Sequence, residues 1–183
     1  MISVKDELQH AQSYMNIQKV RYKNSFSVTF DVEEELYSYC TVKLILQPIL
    51  ENAINYGVGN MEDGGEIRIT GRREGDLIVL AVSDNGLGMS EEEVALVLTD
   101  SNRIHKHGSG VGLVNVNSRI QILFGKEYGL VVESEPDEGT RVSIHIPAVP
   151  YTEENRRILE MGHMMSREEI VDRKVQGQSN EKG

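Results

Sequence analysis

Apolar residues recur at helical spacing near the start of the chain. Val4, Leu8, Ala11 and Met15 stand at i, i+4, i+7 and i+11, with Tyr14 and Ile17 beside the stripe. The pattern predicts an amphipathic helix over 4–22, broken at Asn24-Ser25. Phe26-Ser27-Val28-Thr29-Phe30 alternates and predicts a half-buried strand, followed by a polar turn at Glu33-Glu34-Glu35. Val42, Ile45, Leu46, Ile49, Leu50, Ala53 and Ile54 restore a helical period. Pro48 inside that run demands either a kink or a helix that begins close to it, and Gly57 offers a stop. Residues 66–72 and 77–84 predict a hairpin around Glu74-Gly75-Asp76. The second of these strands is apolar on both faces and belongs in the middle of its sheet. Ser90 and Glu93 have the spacing of a capping box and open a short helix to about Leu98. Residues 99–110 are polar, basic and glycine-bearing and read as a loop, and 111–124 as a helix. Residues 130–133 and 141–146 form a last hairpin around Pro136-Asp137-Glu138-Gly139, and Pro147 closes the domain. Residues 150–183 are rich in Glu, Arg and Lys and predict a polar helical extension that frays into disorder.

Composition narrows the setting. A chain of 183 residues holds one core and is short for two domains. No apolar run approaches the ~18 residues that span a bilayer, and no signal peptide opens the chain. The single cysteine, Cys40, excludes an internal disulfide framework and fits a reducing, cytoplasmic compartment. It follows an alternating aromatic stretch and reads as a small packed hydrophobe. A net charge of −10 argues against nucleic acid or an anionic membrane as partner. A phosphate ligand in such a chain needs local help from Mg²⁺, backbone amides and a few cations.

Candidate chemistry gathers in four segments. Asp84 falls on the same strand face as Ile78, Leu80 and Val82, and an apolar face that ends in a carboxylate needs a partner for it. The exocyclic amine of adenine is a suitable donor. Gly86 and Gly88, followed by Met89, let the backbone turn and a flat ring approach, although Asp-Asn-Gly is also an ordinary turn signal. Asn55 and Tyr56 lie three and four residues beyond Asn52 on the expected helix, so all three share a face. Asn52 offers a hard oxygen to Mg²⁺, against the alternative of a solvated helix face. The run Gly108-Ser109-Gly110-Val111-Gly112-Leu113 precedes a helix, where free amides suit phosphate oxygens. No strand precedes it, which argues against a dinucleotide-binding fingerprint. Arg103, His105, Lys106 and His107 are cations available to the phosphates. Thr140, opening the last strand after a glycine, offers a hydroxyl to the purine.

In order and spacing these segments resemble the ATP-binding fold shared by gyrase, Hsp90, MutL and histidine kinases (the GHKL or Bergerat fold) over roughly 25–149. They are similar to its N box, G1 box, G2 box and closing Gly-Thr. Leu46-Gln47-Pro48-Ile49-Leu50-Glu51-Asn52-Ala53, Gly110-Val111-Gly112-Leu113-Val114-Asn115-Val116 with Arg119, and Glu7-Leu8 with Tyr14 to Arg21 resemble runs of the LytS/YesM-like sensor histidine kinases. The resemblance implies an α+β, two-layer sandwich: a mixed, mostly antiparallel sheet covered on one face by helices. It implies a helical connector at 1–24, an ATP-binding catalytic domain at 25–149 and an extension at 150–183. It further implies ATP and Mg²⁺ as cofactors. Asn52 would serve the metal, Asp84 the purine and Gly108 to Gly112 the phosphates.

The departures from the family pattern bear on function. Tyr56 stands where the family usually has His, a change that tunes phosphate contacts. The family's phosphoacceptor histidine lies in a Pro-His-Phe context, which no histidine here has; His10 is in other surroundings. The expectation is therefore the catalytic part of a kinase, acting on a histidine-bearing dimerisation region outside the chain and, through it, on a response regulator. Membrane anchoring of a parent protein is left open. Hydrolytic relatives place a general-base Glu one turn before the metal Asn; here that position is Pro48, with Glu51 adjacent to Asn52 and open to a catalytic part. An ATPase clamp and a non-catalytic nucleotide sensor are the alternatives. The stripe on 4–22 either packs on the domain or pairs two chains as a homodimer.

Overall fold

The computed structural model describes residues 1–99 and 110–161. Strand β1 (Ile2–Ser3) leads into α1 (Val4–Arg21), whose N-terminus is capped by Ser3. Strand β2 (Phe26–Val32), a 3₁₀ turn (Glu34–Ser38) and β3 (Cys40–Thr41) follow. Helix α2 (Leu46–Asn52) passes without a break into a π-helical turn (Ala53–Val58). The hairpin β4 (Gly65–Glu74) and β5 (Leu77–Asp84) precedes α3 (Glu91–Val97). Helix α4 (Gly110–Phe124), the hairpin β6 (Gly129–Glu135) and β7 (Gly139–Pro147), and α5 (Glu153–Glu160) complete the described chain.

The main sheet runs β2-β4-β5-β7-β6. Only β2 and β4 pair in parallel; the other neighbours are antiparallel. The expected mixed, mostly antiparallel sheet is therefore present, and β5 is its central strand. Ile67, Ile69, Ile78, Leu80, Val82, Val142, Ile144 and Ile146 are buried in one cluster with the apolar residues of α1, α2 and α4. Each fully buried Ile or Leu there contributes about 1.5–3 kcal/mol before entropy is counted. Arg68, Arg141 and Glu133 lie on the opposite, solvent-facing side of the sheet.

Of the two alternatives at Pro48, the structure has the helix that begins close to it: α2 starts at Leu46, because Leu44 adopts φ +57 and turns the chain, and other expectations are corrected. Pro48 thus falls in the first turn, where its missing N–H is among the donors a helix leaves unpaired anyway, so no kink is needed. Gly57 is no stop, since the π turn runs through it to Val58. On α1, Val4, Leu8, Ala11 and Met15 are buried, but Ile17 is 66% exposed, so the apolar face is narrower than the sequence suggests. That face packs on the domain itself. The packed body also continues past Pro147. Cys40 N–H donates to Val149 O (2.7 Å), Tyr151 N–H to Ser38 O (2.7 Å), and α5 buries Asn155 and Leu159. Cys40 is buried as a packed hydrophobe, and burial pushes its thiol up to about 12.

Candidate functional site

The last residue of the central strand is the centre of the site. Ile78, Leu80 and Val82 are buried on the inner face of β5, and Asp84 ends that row half-buried. It stands opposite Thr140 of β7 on one side and Ile67 of β4 on the other. Burial pushes its carboxyl up to about 6, against the pull of N–H donors from Gly86 and Thr140. The Gly86 N–H lies 2.9 Å from Asp84 Oδ1. The carboxylate is therefore held in place, with its pKa raised by burial.

Glycines let three chain segments meet around it. A Cβ on Gly57 would fall 2.6 Å from Asp84 Oδ1. A Cβ on Gly86 would collide with the backbone of Gly57, and one on Gly139 (φ +106) with the Asp84 carbonyl oxygen. The end of the π turn, the turn after β5 and the start of β7 can close on one another only because these side chains are absent.

A hydroxyl pair lies beside the carboxylate. Ser134 Oγ donates to Gly139 O (2.8 Å) and accepts the Met89 N–H (2.8 Å). It also lies 2.8 Å from Thr140 Oγ1. With its own proton committed to Gly139, Ser134 accepts from Thr140, whose lone pairs remain as acceptors. An open cleft of about 540 Å³ at the ends of β5, β6 and β7 is lined by Asp84, Ser134 and Thr140, with Glu91, Glu135 and Glu138 nearby. Asn52 does not line it.

Asn52 ends α2, half-buried, and Gln47 Nε2 donates to Glu51 Oε1 at 3.1 Å. Asn55 and Tyr56 are exposed in the π turn, where α-helical spacing does not set which residues share a face. Burial, and then the nearby charge of Glu51, raise the Tyr14 hydroxyl to about 12, so α1 lies close to this helix. Gly110 and Val111 open α4. At Gly112 a Cβ would lie 3.4 Å from Pro48 Cβ, so α4 packs its first turns against α2, and Leu113 is buried. Arg103, His105, Lys106, His107, Gly108 and Ser109 lie outside the described residues.

Sequence reasoning missed two contributors. Ser134 shares the inner face with Leu130 and Val132, so the alternation that singles out Asp84 also carried a signal for it. Gly57 carried none, because its contact with Asp84 joins segments distant in sequence.

The geometry is that of a helix-backed mixed sheet whose central strand ends in a glycine-walled carboxylate. Residues 41–150 match the family described as histidine kinase-, DNA gyrase B-, and HSP90-like ATPase, and the chain belongs to that family. Among its relatives are the sensor histidine kinases BtsS of Escherichia coli K12 (32% identical over 146 residues) and YesM of Bacillus subtilis 168 (33% over 147). Each alignment covers 80% of this chain and 24% of the relative, so the chain spans about a quarter of their length. The sensor protein LytS of Bacillus anthracis is 31% identical over 150 residues, 80% of this chain and 25% of LytS. The fold is similar to the catalytic domain of histidine kinase ThkA (TM-score 0.62, 15% identity, covering 81% of this chain and 97% of that one). It is also similar to Acinetobacter baumannii histidine kinase AdeS (TM-score 0.59, 16% identity, 80% and 66%). No helix among the described residues is long and apolar enough to cross a membrane.

Proposed function

We propose that the chain is the catalytic domain of a two-component sensor histidine kinase, which binds Mg·ATP and presents the γ-phosphate to a histidine outside the chain. The observation that carries this reading is Asp84: a half-buried carboxylate, positioned by N–H donors and enclosed by glycines, in a family of ATP-binding domains. Asp84 accepts the exocyclic amine of the purine, and Thr140 accepts from it or from a bridging water. Gly86, Gly88 and Met89 form the edge along which the ring lies. Glu91, Glu135 and Glu138 make the cleft around Asp84 a poor place for phosphates. The triphosphate therefore runs the other way, toward Asn52 and the opening of α4. Asn52 would hold Mg²⁺ through its side-chain oxygen, a hard ligand of the kind this ion takes. Asn55, Tyr56 and the segment His107 to Leu113 complete the phosphate end. When bound, the metal neutralises the charge that develops on the transferring phosphoryl group. Glu51, turned about 100° from Asn52 on the helix, orders water or the metal's shell. A response regulator then receives the phosphate from the histidine.

Titration calorimetry with Mg·ATP tests the site, with Asp84→Asn in parallel; binding by the wild type that the variant loses is the expected result. Incubation with radiolabelled ATP and a separately supplied dimerisation segment carrying the histidine tests the transfer. Label on that segment supports the kinase; ATP binding with none on it leaves a nucleotide sensor.

A further inference from the structure

Helix α2 carries no cap of its own. The residue at its N-cap position, Ile45, makes no side-chain bond to the helix. The cap comes from α1. Glu7, only 1% exposed, places Oε2 2.8 Å from the Leu44 N–H, and Oε1 2.8 Å from the Ile45 N–H and 2.9 Å from the Leu46 N–H. One buried carboxylate thus satisfies three consecutive donors at the positive end of the helix that ends in Asn52. The same turn is held by α4 as well. Arg119 Nη2 donates to Lys43 O (2.6 Å) and Nη1 to Leu44 O (3.4 Å). Between these grips Leu44 keeps φ +57, a left-handed conformation that a leucine adopts only under constraint.

We infer that Glu7 and Arg119, from two different helices, form a clamp on the 43–45 turn that sets the axial position of α2, and with it Asn52. Glu7 is then a positioning residue for the metal-phosphate end of the site, while Asp84 has anchors of its own on the sheet side, the N–H groups of Gly86 and Thr140. This inference rests on the Mg·ATP reading above for its functional consequence, but not for its geometry. The clamp also couples the position of α1 to that of α2. A sliding α1 moves the carboxylate, and the three donors follow it or lose it.

The test uses the full chain and the variants Glu7→Gln, Arg119→Ala and Leu8→Ala. The last removes a buried side chain from α1 and leaves both clamp residues in place. In the nucleotide-free protein, hydrogen exchange at Leu44, Ile45 and Leu46 and the NMR signal of the Asn52 side-chain amide are followed. Glu7→Gln and Arg119→Ala are expected to speed exchange at those three amides and shift the Asn52 signal; Leu8→Ala lowers the melting temperature but does neither. ATP affinity is then measured with Mg²⁺ and with chelator. Glu7→Gln is expected to reduce the Mg²⁺-dependent gain about tenfold or more, the scale of one charge-assisted hydrogen bond, while chelated ATP binds as in the wild type. An unshifted Asn52 signal in a folded Glu7→Gln protein, or equal loss of the Mg²⁺ gain in Leu8→Ala, overturns the clamp. If Glu7→Gln does not fold, Arg119→Ala decides on the same readouts. A wild type that binds no Mg·ATP defeats the functional reading, and the nucleotide-free measurements still decide the clamp.

Discussion

Asp84 is pulled in two directions. Burial raises its carboxyl to about 6, while its proposed task requires the ionised form. ATP binding is therefore expected to weaken as pH falls through about 6, and calorimetry across that range in a buffer of fixed ionic strength checks it. The free protein should show the opposite trend. The folded state holds the Asp84 proton more tightly than the unfolded chain, whose carboxyl has the ordinary value of 3.8. This group's contribution to stability is thus greatest below that value and is lost as pH rises to about 6. Asp84→Asn should flatten that slope in urea melts and be no less stable at neutral pH, though it binds ATP poorly. Gly57→Ala should harm both properties. Its Cβ would meet Asp84 Oδ1 at 2.6 Å, and overpacking of this kind costs about 1–3 kcal/mol, read as a lower urea midpoint together with weaker ATP binding. Asp84 was legible in the sequence because a period of two places it at the end of an apolar row. Gly57 was not, because nothing near it in sequence announces a carboxylate from another strand.

The elements show where pattern and geometry separate. Apolar spacing from Val42 mimics a helix, yet Val42 and Ile45 are buried in a turn, so the periodicity marked burial rather than helix. The true start at Leu46 depends on Glu7, on a different helix, which no local rule registers. The π turn is equally silent, since a single insertion of geometry leaves the apolar spacing of Ala53 and Ile54 intact. Where the cap is local, the sequence sufficed. In α3, Ser90 N–H donates to Glu93 Oε2 (2.8 Å) and Glu93 N–H to Ser90 Oγ (3.3 Å). Ser90→Ala removes half of that box and should cost about 0.5–2 kcal/mol, the usual worth of an N-cap hydroxyl. Amide exchange in α3 should rise while that of β5 stays slow, because the helix frays without opening the sheet.

At the scale of the molecule, the question is whether α1 is a connector resting on a finished domain or a part of the core. Met15 is 0% exposed and belongs to the same buried cluster as Ile49, Ile54 and Ile67, drawn from α2, the π turn and the sheet. Val4, Leu8 and Ala11 extend the contact, and Glu7 adds a buried carboxylate that accepts the N–H groups of Leu44, Ile45 and Leu46. A core shared in this way cannot lose α1 and keep the sheet unaffected. Met15→Ala should therefore destabilise the whole unit by about 2–5 kcal/mol, the range for a large side chain removed from a packed interior. Denaturation in urea should show one transition, shifted to a lower midpoint with its slope unchanged, by fluorescence and circular dichroism alike. A separate connector would behave differently. Helical signal would be lost first, and the sheet would melt at the wild-type midpoint. Two resolved transitions would thus refute a shared core, and with it the view that movements of α1 are transmitted to the helix bearing Asn52.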